Sequence, residues 1–261
     1  MLAPFVLLLL APSASTASSA TTTTTLVAQD VAQAGYERGY SGNFDFSFAN
    51  ATGNTENMTL ILRGRLESRG RIVNHKFEAG ARYAESGPPD GERSQTQEAA
   101  FASYQLDATI ADKAYAYGRT RYDYDAFSGF EQRVFVGGGF GYRFYEREDL
   151  NWNIEIGPGV RWTEYDEATM PADMRMNEAE FSLYASSDFA WDVNDAVGIE
   201  QDSRITYTDI SATFESEFSL TSKLTEKLSA RASYLVRHET NPPANREPTD
   251  TLLSAGISLG F

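Results

Sequence analysis

The chain contains no cysteine among its 261 residues. That excludes disulfides, thiolate metal sites, a thiol nucleophile and a lipid-modified cysteine behind a signal sequence. Histidine is nearly absent: His75 and His238 are too few for a histidine-rich metal centre. Basic residues are the scarcer charge, with 22 Lys and Arg against 37 Asp and Glu. Phosphate binding needs a basic surface, so nucleic acid is not expected as a partner. Long apolar runs are missing as well. The N-terminal run, Phe5–Ala11, falls far short of the ~20 residues that a membrane helix takes. No segment has the period of an amphipathic helix, and no linker divides the chain.

That N-terminal run has a use of its own. It is followed by small residues, and Ser15-Thr16-Ala17 and Ser18-Ser19-Ala20 both suit cleavage. Residues 1–20 therefore read as a cleaved secretory signal peptide, although no Lys or Arg precedes the run; the alternative is a disordered apolar tail. Residues 21–38, with a Thr run and no periodicity, read as an unstructured periplasmic leader.

What the chain has in abundance is alternation. Segments of period two, the period of a strand with two unlike faces, cover 39–49, 57–69, 71–85, 97–108, 114–125 and 131–145. They continue through 151–165, 179–191, 196–204, 209–220, 227–239 and 250–261. The connections alternate too. "SRGR", "TIADK", "EREDL", "DVNDA" and "TSKLTEK" are tight. "NATGNTE", "SGPPDGERSQT", "AFSGF", "EATMPADMRMN", "ITYT" and "TNPPANREPT" are mostly longer or richer in Gly, Pro and charge. Short turns on one rim and long loops on the other mark an outer-membrane barrel. The expected fold is all-β: one transmembrane antiparallel barrel over 39–261, an up-and-down meander of about 12 strands. An even strand number puts both ends on the short-turn, periplasmic rim.

The stretch "NWNIEIGPGVRW" decides what the oily face meets. Trp152, Ile154, Ile156, Pro158, Val160 and Trp162 share one face. At ~3.3 Å per residue and a tilt of ~40°, the two Trp are separated in height by about 25 Å, the spacing of the two aromatic girdles of an outer-membrane barrel. The apolar faces are thus expected to meet lipid, with Trp152 and Trp162 at opposite interfaces. By the same register the polar faces carry Arg63, Arg65, Lys76, Arg82, Arg119, Arg121, Arg133, Arg143, Arg161, Arg231 and Arg237. With them run Asp45, Glu78, Asp123, Glu155, Glu180, Asp188, Glu200, Glu215, Glu217 and Glu239. Near-balanced charge in a narrow space favours arginine–carboxylate pairs across the lumen. Gly137, Gly139, Gly141, Gly157 and Gly159 fall on the same inner face, to leave room for opposing Arg side chains or to let the strands curve. Ile156→Arg, a charge near the bilayer midplane, is expected to cost more than Glu155→Arg in the lumen.

Nothing in this pattern designates a catalytic, cofactor-binding or metal-ligating residue, and no enzymatic activity is expected. His75 and His238 fall on the lipid face at opposite rims and cannot meet. Glu215 and Glu217 share a face, but alternation places acids so in any charged lumen. Asp123, Asp125 and Glu131 flank a loop without the spacing of a calcium site, and "GGGFG" lacks the Lys and helix of a phosphate loop.

The segments "SFANATGNTENMTL", "YDYDAFSGFEQRVFVGGGFGYRF", "EIGPGVRWTEYDE", "LTSKLTEKLS" and "NPPANREPTDTLLSAGISLGF" resemble the salt-induced outer membrane protein family, domain of unknown function 481. The resemblance spans about Gly39 to Phe261. It implies a single barrel in the outer membrane of a Gram-negative bacterium, with no established activity. The loop "EATMPADMRMNEA" is Met-rich beside that family. Expected partners are outer-membrane lipid, lipopolysaccharide and, through the terminal strand ending in Phe261, the barrel-assembly machinery. Three functional classes remain open: a structural or envelope-stress barrel with a narrow paired lumen, a small pore for ions or polar solutes, and an enzyme or receptor working through its outer loops.

Overall fold

The structure, a computed structural model, describes residues 39–51, 56–88, 91–165, 177–243 and 246–261. The expected signal peptide and leader, and most of the Met-rich loop, lie outside the described residues. The first six strands are β1 (Gly39–Ala51), β2 (Glu56–Arg69), β3 (Val73–Gly87), β4 (Ser94–Thr109), β5 (Ala114–Asp125) and β6 (Phe130–Glu146). The rest are β7 (Leu150–Tyr165), β8 (Asn177–Asp192), β9 (Val197–Thr208), β10 (Ala212–Lys223), β11 (Leu228–Glu239) and β12 (Thr249–Gly260). Each strand pairs antiparallel with the next, and β1 pairs with β12 to close the barrel. Phe261 takes part in closure: its N–H and C=O exchange 3.0 Å bonds with Gly42.

The wall obeys the alternation that the sequence carries. Ile156 is 64% exposed and Leu253 75% exposed, while Glu155, next to Ile156, is fully buried. A soluble barrel has the reverse arrangement. Exposed apolar side chains outside, buried charge inside and a closed ladder are what a hydrocarbon solvent demands, since an unpaired backbone group there is costly. This is the architecture of an outer-membrane barrel. Trp152, toward the short-turn rim, stacks on Phe144 at 4.9 Å, and its Nε1–H donates to Ser187 Oγ at 3.0 Å. Trp162, toward the loop rim, also faces outward.

Two local expectations change. "ITYT" is not a loop: β9 continues through Thr208, and β10 begins at Ala212, not at Asp209. Ile205 and Tyr207 extend the outer face while Thr206 and Thr208 extend the inner one, so alternation of β-branched and aromatic residues carries the strand on. Asp209–Ser211 makes the turn, held by Thr208 Oγ1 donating to Ser211 C=O at 2.8 Å. The β5–β6 connection is also tight. Gly129 adopts φ 88°, the left-handed region that favours glycine.

The glycines of β6 and β7 do not make room for arginines. A Cβ at Gly141 would lie 2.2 Å from the Tyr115 ring, and one at Gly159 would lie 2.5 Å from the Phe135 ring. At Gly139 it would lie 2.1 Å from the Ile156 carbonyl oxygen. Aromatic rings and the facing backbone take the space. The strands approach closely there, and the lumen gains a packed wall.

Candidate functional site

The lumen is where the chemistry of this chain collects, and it is built in levels. Nearest the loop rim, Arg133 of β6 reaches Glu239 of β11 with two guanidinium bonds of 3.0 and 3.2 Å. The same carboxylate accepts from Ser211 Oγ at 2.7 Å and Thr213 Oγ1 at 2.9 Å. Arg161 of β7 donates to Glu180 at 3.0 Å, to Thr208 at 3.1 Å and to Thr213 at 3.1 Å. The Arg133 guanidinium lies 3.8 Å from the centre of the Phe130 ring, and that of Arg237 lies 5.2 Å from it. Arg237 also comes within 3.7 Å of Asp125, on the strand opposite in the barrel. Charges removed from water in this way hold their partners tightly, because breaking one pair strands a buried ion at a cost of about 3–5 kcal/mol.

At mid-height two ties cross the barrel, from Arg63 to Glu217 and from Arg65 to Asp202, and others run along the wall. Arg63 of β2 clamps Glu217 of β10 with two bonds of 2.6 Å. Arg65 joins Glu78 at 2.7 Å and Asp202 of β9 at 3.1 Å. Arg121 pairs with Asp123 at 2.6 Å, and Arg204 with Glu215. Between them sits an apolar cluster of Tyr115, Tyr117, Phe135 and Tyr184, all buried. Arg119 lies over Tyr184 at 4.9 Å and Arg143 over Tyr115 at 4.7 Å, which adds cation–π attraction.

Toward the short-turn rim the lumen widens into a vestibule of about 620 Å³. Behind its wall the fully buried Glu155 accepts from three lining residues, Gln105 at 2.6 Å, Tyr115 at 2.9 Å and Ser186 at 3.2 Å. Lys76 pairs with Asp107 at 3.2 Å, and Arg231 with Glu200 at 2.9 Å. A second, smaller cavity of about 70 Å³ lies further inside, and Arg119 and Tyr184 line both. They form the neck between the vestibule and the closed half.

Most of the expected lumen residues meet here, in pairs that sequence register could not specify. Four charged members were missed. Arg204 and Asp202 lie on β9, with the parity of Glu200, inside the expected segment 196–204. Asp107 and Asp125 end β4 and β5 inside the barrel, not in solvent. Tyr115 and Tyr117 share the parity of Arg119, and that was the signal for them. Asp123, Asp125 and Glu131 do not form one cluster: the first two turn inward to arginines and Glu131 is exposed. Glu215 and Glu217 each bind an arginine. His75 bonds Tyr104 at 2.8 Å and His238 bonds Thr249 at 2.8 Å, on the outer wall and far apart. Among the described residues no group of three or more His, Asp or Glu is placed to hold a metal.

A relative from Escherichia coli strain K12, "Uncharacterized protein YdiY", is 25% identical over 236 residues, covering 89% of this chain and 88% of its own. Among solved structures, the NanC porin overlaps 84% of this chain and 97% of its own at 9% identity and a TM-score of 0.48. An outer membrane channel from Pseudomonas putida F1 overlaps 85% and 94% at 9% identity and a TM-score of 0.45. No property of those two proteins carries over at such values. The family model described as "Protein of unknown function, DUF481" matches residues 44–261, from within β1 to Phe261, and the chain belongs to that family.

Proposed function

We propose that this chain is a closed, structural barrel of the Gram-negative outer membrane that blocks free passage and carries out no catalysis. The observation that supports it is the network in the lumen: Arg133–Glu239 crosses the loop-rim half, Arg161–Glu180 joins neighbouring strands beside it, and Arg63–Glu217 crosses at mid-height, backed by buried aromatic rings. Paired ions in confinement resist separation, since either partner alone is poorly solvated. A catalytic reading finds no nucleophile with an activating base among the described lumen residues, where the acids are largely bound to arginines. In this proposal residues 1–20 direct export and are removed, the short-turn rim faces the periplasm, and the strand ending in Phe261 is presented to the assembly machinery. The apolar wall takes lipid, and the loop rim meets lipopolysaccharide.

The vestibule favours a second reading, a narrow pore gated at the Arg119–Tyr184 neck. Liposome swelling separates the two. Vesicles holding the refolded protein should swell no faster in small sugars or amino acids than empty vesicles. Swelling that depends on solute size supports the pore.

A further inference from the structure

Most charges lining the vestibule have a partner of opposite sign within 4.0 Å; Arg119 and Asp188 are among those that have none. Arg119 makes no hydrogen bond or ion pair among the described residues; its guanidinium is held flat over the Tyr184 ring, 4.9 Å from the centre. Its donors therefore remain unused. Asp188 of β8 also has no hydrogen bond or ion pair among the described residues. It lies directly across the ladder from Asp202. Arg119, Asp188 and Asp202 all line the 620 Å³ vestibule, and Arg119 and Asp188 are within electrostatic reach of each other. The charged groups whose fields reach Asp188 are Asp202, Glu155, Lys76 and Arg119. Lys76 is engaged by Asp107 and Asp202 by Arg65, which leaves Asp188 as the free acceptor.

A free cation and a free anion that face one water-accessible cavity and do not touch each other define the charges of a ligand. We propose that the vestibule binds a small zwitterion, an amino carboxylate. Its carboxylate takes the guanidinium edge of Arg119, where planar donors match two oxygens. Its primary ammonium takes Asp188. An ammonium with three protons suits this end better than a methylated one. The aromatic faces nearby, Tyr184 and Tyr115, are already covered by Arg119 and Arg143 and leave no cage for methyl groups. The ligand enters from the short-turn rim, the only side on which the vestibule is lined by turn residues. This inference rests on the closed-barrel reading only in placing the binding site at a blind end.

The test is equilibrium binding to the refolded full-length barrel in detergent, by calorimetry or ligand-observed NMR. The probes are ω-amino carboxylates from glycine to 6-aminohexanoate, with hexanoate and hexylamine as singly charged controls. One chain length should bind at least tenfold tighter than either control. Arg119→Gln should bring the zwitterion down to the affinity of the amine, and Asp188→Asn to that of the carboxylate. Heat-modifiable mobility and circular dichroism confirm that each variant is folded, and Arg119→Lys, which keeps the charge, should recover part of the affinity. Zwitterions that bind no tighter than the controls, or binding indifferent to both substitutions, overturn the inference. Either result is independent of whether the barrel passes current.

Discussion

Arg161 and Arg119 are both lumen arginines, two strands apart, yet one is sealed and the other is free. Arg161 is 3% exposed and donates to Glu180, Thr208 and Thr213. Arg119 donates to no described side chain and rests on a tyrosine ring above an open vestibule. The loop-rim half and the short-turn half of the lumen thus use the same residue types to different ends. Charge content does not determine whether a lumen is open. What closes the upper half is that hydroxyls and rings complete each ion pair: Ser211 and Thr213 on Glu239, Phe130 under Arg133. Where those completing groups thin out, water-accessible space returns.

The sharpest way to break this comparison is to reverse a charge that has several donors. Glu155→Arg removes the acceptor for Gln105, Tyr115 and Ser186 and sets a third cation beside Arg119 and Lys76. It should cost about 3–5 kcal/mol or more. Ile156→Arg, on the lipid side, should cost about 2–4 kcal/mol. The buried geometry of Glu155 thereby reverses the order expected from sequence. Urea unfolding in lipid vesicles ranks the two, and a smaller loss for Glu155→Arg would mean that its donors find other partners.

The glycines give the next effect. Gly139→Ala places a methyl against the Ile156 carbonyl and should destabilise by about 1–3 kcal/mol through overpacking. Gly118→Ala meets nothing within 4 Å and should stay within about 0.5 kcal/mol of the parent. Equal losses in the same assay would remove the packed β6–β7 wall from the explanation of closure. The smallest effect belongs to the rim, where Arg69 is largely exposed beside Glu67. Arg69→Ala should change stability by less than about 1 kcal/mol, and a thermal melt that shifts as far as for Gly139→Ala would contradict the distinction between rim and lumen.

Much of the fold was legible because the two faces of each strand meet unlike solvents. Alternation then marks every strand that is long enough, and Trp152 and Trp162 give the height of the band. The boundary at Thr208 was not legible, since Ile-Tyr and Thr-Thr alternate over only four residues and resemble a polar loop. The site was legible as a set of inward charges but not as pairs. Arg63 and Glu217 are 154 positions apart, and period two says which face a residue is on, not what lies across the lumen. The aromatic filling went unseen for a related reason: Tyr115, Phe135 and Tyr184 sit on the polar face by parity, where an apolar ring contradicts the pattern. Arg143, one of the expected lumen arginines, comes only within 3.9 Å of Glu146 and lies over Tyr115 in the vestibule half.

The central claim is that the loop-rim network shuts the barrel, and current across a planar bilayer tests it most directly. Wild-type protein at ordinary salt should pass little or no current. Arg133→Glu with Arg161→Glu, which turns two attractions into repulsions toward Glu239 and Glu180, should produce open channels, while Arg143→Glu should not. Robust wild-type conductance with clear ion selectivity would contradict the closed barrel.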